Sequence, residues 1–275
     1  MVNLILAIFS SAMVSILMRL SEGKIRYNLG MLAVNYAMCA IVGALSSQLQ
    51  SGGLGLGETV VFGGINGVLY LASFVLFQEN VRRSGVVLPA TFMKLGLLVT
   101  MLVSVCVYGE VPGIWETLGF GLAVAAIILI NYNKEGGKGK FRFGLIGLLL
   151  CGGMADAMSK IFEESGPAGM GDPFLLFTFV TALILCTLWM FLKGQRVGKW
   201  ELVFGLLVGV PNFYSSRFLL GALAKIPAVI AYPVYSVGTI LVVTLSGLLF
   251  FRERLTRRQC VALVLILTAL VLLNM

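Results

Sequence analysis

The sequence predicts an all-α integral membrane protein whose ten transmembrane helices form two inverted halves. Three observations carry that prediction. Of the 275 residues, 59% are hydrophobic and 12% charged, well below the roughly 25% charged residues of soluble domains. Mean hydropathy is +1.00, and apolar runs of about 20 residues, each able to cross a ~30 Å hydrocarbon core, recur along the whole chain. The one markedly hydrophilic stretch, NKEGGKGKFR from Asn133 to Arg142, divides the chain almost in half.

Apolar periodicity and polar punctuation place spans at residues 2–20, 29–48, 58–80, 85–107 and 114–132. A second five follow at 142–163, 173–193, 199–222, 227–250 and 257–275. The first span has no basic region before it and no small-residue cleavage pattern after it, so it is read as a retained helix. The organisation is therefore a first repeat at 1–132, a Gly- and Lys-rich linker at 133–141 and a second repeat at 142–275. The halves resemble each other. Glu110 aligns with Glu253, and Tyr70 and Tyr214 precede Pro89 and Pro233 by the same 19 residues, with Phe74 matching Phe218. An odd number of spans per repeat makes the second half enter the membrane from the opposite face.

Charge gives orientation. The net +8 would suggest nucleic acid in a soluble chain, but 16 of the Lys and Arg residues sit in loops on one face, against Lys160 and Lys225 on the other. The positive-inside rule puts the basic loops in the cytoplasm, at an inner (plasma) membrane, and both termini outside. Trp115 and Trp200 fit interfacial anchors. The five cysteines, scattered through apolar segments without CxxC spacing, read as free buried thiols. With no histidine, no metal site or cofactor is expected.

A charge inside a span is expensive and marks a functional site by default. Lys94 lies about ten residues into span four, ~15 Å from either surface. Asp156 lies two-thirds along span six with Lys160 one turn further, an acid-before-base pair able to neutralise itself. Lys94 then either collects an anion in a cavity or bridges to Asp156 across the bundle. Arg217, beside Ser215 and Ser216, suits a carboxylate or phosphate, or headgroups at the interface. Pro89 and Pro233 are expected to kink spans four and nine at equivalent places, and interrupted helices in corresponding positions point to a midplane binding site. Tyr70, Tyr214, Tyr232 and Tyr235, with Asn66 and Asn212, supply polar groups for that cavity or for interhelical hydrogen bonds. Gly63, Gly64, Gly67, Gly119, Gly121, Gly152 and Gly153 read as packing positions. Glu110 and Glu253 are placed to cap the helices that follow them.

The segments from Asn80 to Asn131 and from Ala222 to Leu273 resemble the first and second repeats of the EamA-type permeases in the drug/metabolite transporter superfamily. The marks are the aromatic-x-Glu turns Tyr108 to Glu110 and Phe251 to Glu253, and the basic turns at Arg82 and Lys225. The resemblance implies two inverted five-helix repeats around a central cavity, lined mainly by spans one, three, four, six, eight and nine. It also implies alternating-access transport of small metabolites. Its usual cytoplasmic termini oppose the loop charges, which are followed here because they are the direct physical signal.

The reading is thus a secondary active transporter of a small polar organic metabolite, anionic or zwitterionic. Lys94 and Arg217 contact an anionic group, and Asp156 serves proton or counter-substrate coupling or an amino-group contact. Its partners are a small-molecule substrate and the lipid bilayer. The alternatives are an exporter of organic cations or drugs using Asp156 and tyrosine faces, and a lipid flippase using Arg217. The absence of histidine and of a second deep acid argues against an enzyme.

Overall fold

The computed structural model describes residues 2–46, 55–108, 113–131, 143–223, 228–253 and 255–272. The linker at 133–141, Glu110 and Lys225 lie outside them, as do the side chains of Tyr232 and Pro233. The described residues form eleven helices: α1 (Val2–Ser21), α2 (Asn28–Ser46), α3 (Leu56–Ser84), α4 (Val87–Lys94), α5 (Leu97–Tyr108), α6 (Ile114–Asn131), α7 (Phe143–Ser165), α8 (Gly171–Leu192), α9 (Lys199–Leu223), α10 (Ala228–Leu249) and α11 (Arg257–Leu272). They are the ten expected spans, with span four divided into α4 and α5. Six are long and apolar enough to cross a membrane by length and composition, and shorter apolar helices run over Val87–Thr100, Thr117–Ala126 and Val234–Leu249.

The spans present their apolar side chains outward as well as inward. On α1, Val2, Ile5, Phe9 and Met13 form an exposed stripe while Leu4, Ala7, Ile8 and Ala12 are buried. A helix apolar all round needs lipid on its outer side. Trp115 and Trp200 stay about half exposed at 51% and 48%, and the Lys24 ammonium sits 5.7 Å from the Trp200 ring. Cys39 and Cys186 are buried as expected, whereas Cys106 and Cys260 are exposed, because a thiol is apolar enough to face lipid.

Helix packing reproduces the duplication. α2 packs on α9 and α3 on α8; α1 packs on α9 and α3 on α7; α1 meets α10 as α4 and α5 meet α7. Exchanging the first five spans for the second turns each contact into its counterpart, and α2 with α8 and α6 with α11 pair with themselves. Small residues make the closest crossings. A Cβ on Gly63 or Gly67 would meet Phe177 Cβ at 2.7 Å or Thr178 O at 2.6 Å of α8. One on Gly205 or Gly209 would meet Val34 Cβ at 2.5 Å or Met38 Cβ at 2.6 Å of α2. Packing of backbone on backbone replaces the hydrophobic effect inside a membrane. Gly121 takes no such part, for nothing lies within 4 Å of its Cβ position.

On the basic face the two halves are joined by carboxylates. Glu253 does not cap α11, whose first turn is closed by Thr256 and Gln259: the Thr256 amide donates to Gln259 Oε1 at 2.8 Å and the Gln259 amide to Thr256 Oγ1 at 3.3 Å. Glu253 reaches instead to the start of α4, accepting the Val86 amide at 2.8 Å and the Val87 amide at 3.4 Å, and holds Arg19 of α1 at 3.2 Å. Glu201, at the start of α9, likewise accepts the Arg26 and Tyr27 amides just ahead of α2, at 2.7 and 3.0 Å. In both cases a carboxylate satisfies orphan amides at a positive helix end.

Candidate substrate cavity

Span four breaks at Leu95 and Gly96, directly after Lys94, and not at Pro89. Pro89 is the third residue of α4, so its missing N–H falls in the first turn, where it has no intrahelical partner to lose. At the break the Gly96 amide bonds back three residues to Met93 O at 3.2 Å, a tightened turn. Its cause is a crossing helix: a Cβ on Gly96 would meet Gly153 N at 2.7 Å. α10 runs unbroken through Pro233, and α9 carries an internal proline, Pro211. That proline is plain in the sequence but has no counterpart in the first half, so the repeat comparison passes over it.

Two cavities lie end to end at the centre of the bundle. The larger encloses about 670 Å³ of empty space, mouth included, and is lined by α1, α3, α4, α7, α9 and α10, the six spans the family resemblance implies. Lys94 and Asp156 both line it, with hydroxyls from Ser11, Ser15, Ser73 and Thr239 and apolar surface from Phe74 and Phe77. The smaller, about 490 Å³ with its opening to solvent included, shares Tyr70, Asp156 and Tyr235 with the first, adding Asn66, Ser159 and Ser216.

Lys94 and Asp156, the charges in the larger cavity, attract each other but form no direct ion pair. Lys160 turns to Glu164 at 3.6 Å and not to Asp156. Among the described residues no ion pair within 4 Å joins Lys94 to Asp156. The Lys94 ammonium instead sits 3.8 Å from the centroid of the Tyr235 ring, a geometry in which the ring quadrupole attracts the cation. Tyr235 is fixed in turn by a 3.1 Å hydrogen bond with Ser215, and Tyr70 by one of 2.9 Å with Ser216. Neighbouring serines of α9 thus hold one tyrosine from each half.

The other expected residues divide. Asn212 lines the larger cavity and donates to Asn35 Oδ1 at 3.2 Å. Asn66 lines the smaller. Tyr214 stacks on Phe218, ring centroids 5.4 Å apart, and is not among the residues lining either cavity. Arg217 stands apart as well, bonded to Asp172 at the start of α8 at 3.3 Å. The serines of α1 and Thr239 carry no distinguishing mark in the sequence, because hydroxyls in a membrane helix usually bond their own backbone, as Ser15 does to Ser11 O at 3.4 Å. No spacing distinguishes those that also face a cavity.

An all-helical bundle of apolar spans with a charged cavity at its centre defines a multi-pass membrane protein. Residues 143–275, just under half of the chain, match the EamA-like transporter family. An uncharacterized protein of Haemophilus influenzae is 23% identical over 282 residues, covering 98% of this chain and 96% of that protein. A crystal structure of a protein at 17% identity shares the fold with a TM-score of 0.63, over 98% of this chain and 97% of the other.

Proposed function

We propose that the protein is a secondary active transporter that moves a small polar organic metabolite, anionic or zwitterionic, by alternating access through the central cavity. The observation that supports this reading best is that Lys94 and Asp156 line one cavity without forming an ion pair with each other. Charges buried in a membrane protein at the cost of desolvation, which attract each other without direct contact, keep their contact positions available to a ligand. Lys94 receives the anionic group, the hydroxyls around it supply hydrogen bonds, and Phe74 and Phe77 shield the rest of the solute. Asp156 meets an amino group or carries the coupling charge. Arg217, held by Asp172, is given no part in the central site, and its use at lipid headgroups is not favoured. The chemistry is binding and release, and no enzymatic role is proposed.

Two repeats that exchange their contacts supply the mechanics. The conformation described here ties α1 and α4 to the turn after α10 on the basic face through Glu253. Alternation requires that tie to release as the opposite end closes.

The test is uptake into proteoliposomes of labelled anionic, zwitterionic and cationic metabolites by wild type, Lys94→Ala and Asp156→Ala. Loss of anion and zwitterion transport in Lys94→Ala is expected. Anion transport that survives without Lys94, together with cation transport that fails without Asp156, overturns the reading in favour of an exporter of organic cations.

A further inference from the structure

The smaller cavity, beyond the point where Tyr70, Asp156 and Tyr235 meet, has a chemistry of its own. Lys94 lines only the larger cavity; the polar side chains of the smaller one are Asp156, Asn66, Ser159, Ser216 and the two tyrosines. Asn66 is 1% exposed. Its orientation is set by Thr178, whose hydroxyl donates to Phe174 O at 2.9 Å and whose oxygen therefore accepts the Asn66 amide N–H at 3.4 Å. The other end of the amide, the carbonyl oxygen Oδ1, has no hydrogen-bond partner. A buried carbonyl without a donor is costly to maintain.

Asp156 differs in that Lys94 attracts it electrostatically, though no ion pair within 4 Å joins the two among the described residues. Lys160, one turn away, is directed to Glu164. No hydrogen bond to the Asp156 carboxylate occurs among the described residues. Ser159 donates its hydroxyl to Ala155 O at 3.1 Å, which leaves its oxygen able to accept, and the Ser216 and Tyr70 hydroxyls are hydrogen-bonded to each other at 2.9 Å. The cavity is thus lined by oxygen acceptors, one of them charged, while the cation that attracts Asp156, Lys94, lines only the adjoining cavity.

We propose that this cavity is a binding site for a small cation, held by the Asp156 carboxylate and Asn66 Oδ1 with the hydroxyl oxygens of Ser159 and Ser216. Hard oxygen donors around one carboxylate suit an alkali cation such as Na⁺, and the same set suits the ammonium group of a solute. The inference deepens the transport reading and rests on it only for what the bound cation does, whether coupling ion or substrate headgroup.

Binding is read without transport. Purified protein in detergent is titrated at constant ionic strength with NaCl against choline chloride, and separately with methylammonium chloride, following the thermal unfolding midpoint. A saturable upward shift is expected in wild type, with apparent affinity weakened about tenfold or more in Asp156→Asn and about threefold or more in Asn66→Ala. Saturation by Na⁺ assigns an inorganic ion, and saturation by methylammonium alone assigns an ammonium group; either supports the site. If Asn66→Ala fails to fold, Ser159→Ala takes its place with the same expected direction. A wild type that shows no saturable shift with either cation overturns the proposal, as does a shift whose affinity is unchanged in Asp156→Asn and in the folded second variant. Such a failure leaves the transport reading standing, since that reading is decided by flux in proteoliposomes.

Discussion

Tyr235 has two functions that a single substitution separates. Its ring carries the Lys94 ammonium at 3.8 Å, and its hydroxyl bonds Ser215 at 3.1 Å. Tyr235→Phe keeps the ring and loses only the hydroxyl bond, worth about 1 kcal/mol. Tyr235→Leu loses the quadrupole as well, about 1–2 kcal/mol more where the cation is shielded from water. In proteoliposome kinetics, KM for an anionic substrate should therefore change less than about tenfold in Tyr235→Phe and clearly more in Tyr235→Leu. Equal effects would show that the ring does not position Lys94. The individual charges Lys94 and Asp156 were visible in the sequence because a charge inside an apolar run is conspicuous. Their partners were not. Lys160, one helical turn from Asp156, bonds Glu164 instead, and Arg217 bonds Asp172, 45 residues away. Side-chain pairing depends on rotamers and on neighbouring helices, which local spacing does not encode.

At the scale of elements, the crossing of α7 over the junction of α4 and α5 positions Lys94. Gly96 and Gly153 bring the two backbones together, and a Cβ on Gly153 would meet Val99 Cβ at 2.7 Å. Gly153→Leu must push the helices apart or fail to pack, a cost of about 1–3 kcal/mol or more by the usual price of overpacking. Folded yield in detergent and the thermal midpoint should both fall. Gly121→Leu, whose Cβ position is open, should change neither. Glycine clusters and interrupted apolar runs were legible as packing sites. Which glycine meets which helix was not, and Gly121 shows that composition alone overstates the case. Pro89 shows the same limit: a proline breaks a helix only in its interior, and whether it lies there depends on where the helix begins. Here the Glu253 carboxylate, from the opposite half, accepts the amides at that start.

For the whole molecule, sidedness is read by a direct measurement. The loops after α1, after α3, around the linker, between α8 and α9, and between α10 and α11 carry the excess of Lys and Arg, and the positive-inside rule predicts them on the cytoplasmic side. With the native cysteines replaced, a cysteine at Gly194, between α8 and α9, should resist a membrane-impermeant maleimide in intact cells and react after permeabilisation. A cysteine at Gly169, between α7 and α8, should react in intact cells. The reversed pattern would place both termini in the cytoplasm and reverse the direction in which the cavity is reached.

Chain length and hydropathy by themselves determined an all-helical bundle of apolar spans, and the repeated marks Tyr70 with Pro89 and Tyr214 with Pro233 pointed to a duplication. That information is local: a lipid core demands about 20 apolar residues per crossing, and duplication leaves similar runs in similar order. Loop composition likewise carries the orientation signal without reference to packing. Only the tertiary structure decided that Lys94 rests on Tyr235 and not on an acid, that Asp156 faces both cavities, that Arg217 belongs to Asp172, and that Glu253 ties the two halves together. Each of these joins residues far apart in the chain and near in space, through contacts only a few ångströms long. An apolar pattern fixes which segments cross the membrane; it does not fix the rotation of one helix against another, and that rotation determines which polar atoms share a cavity.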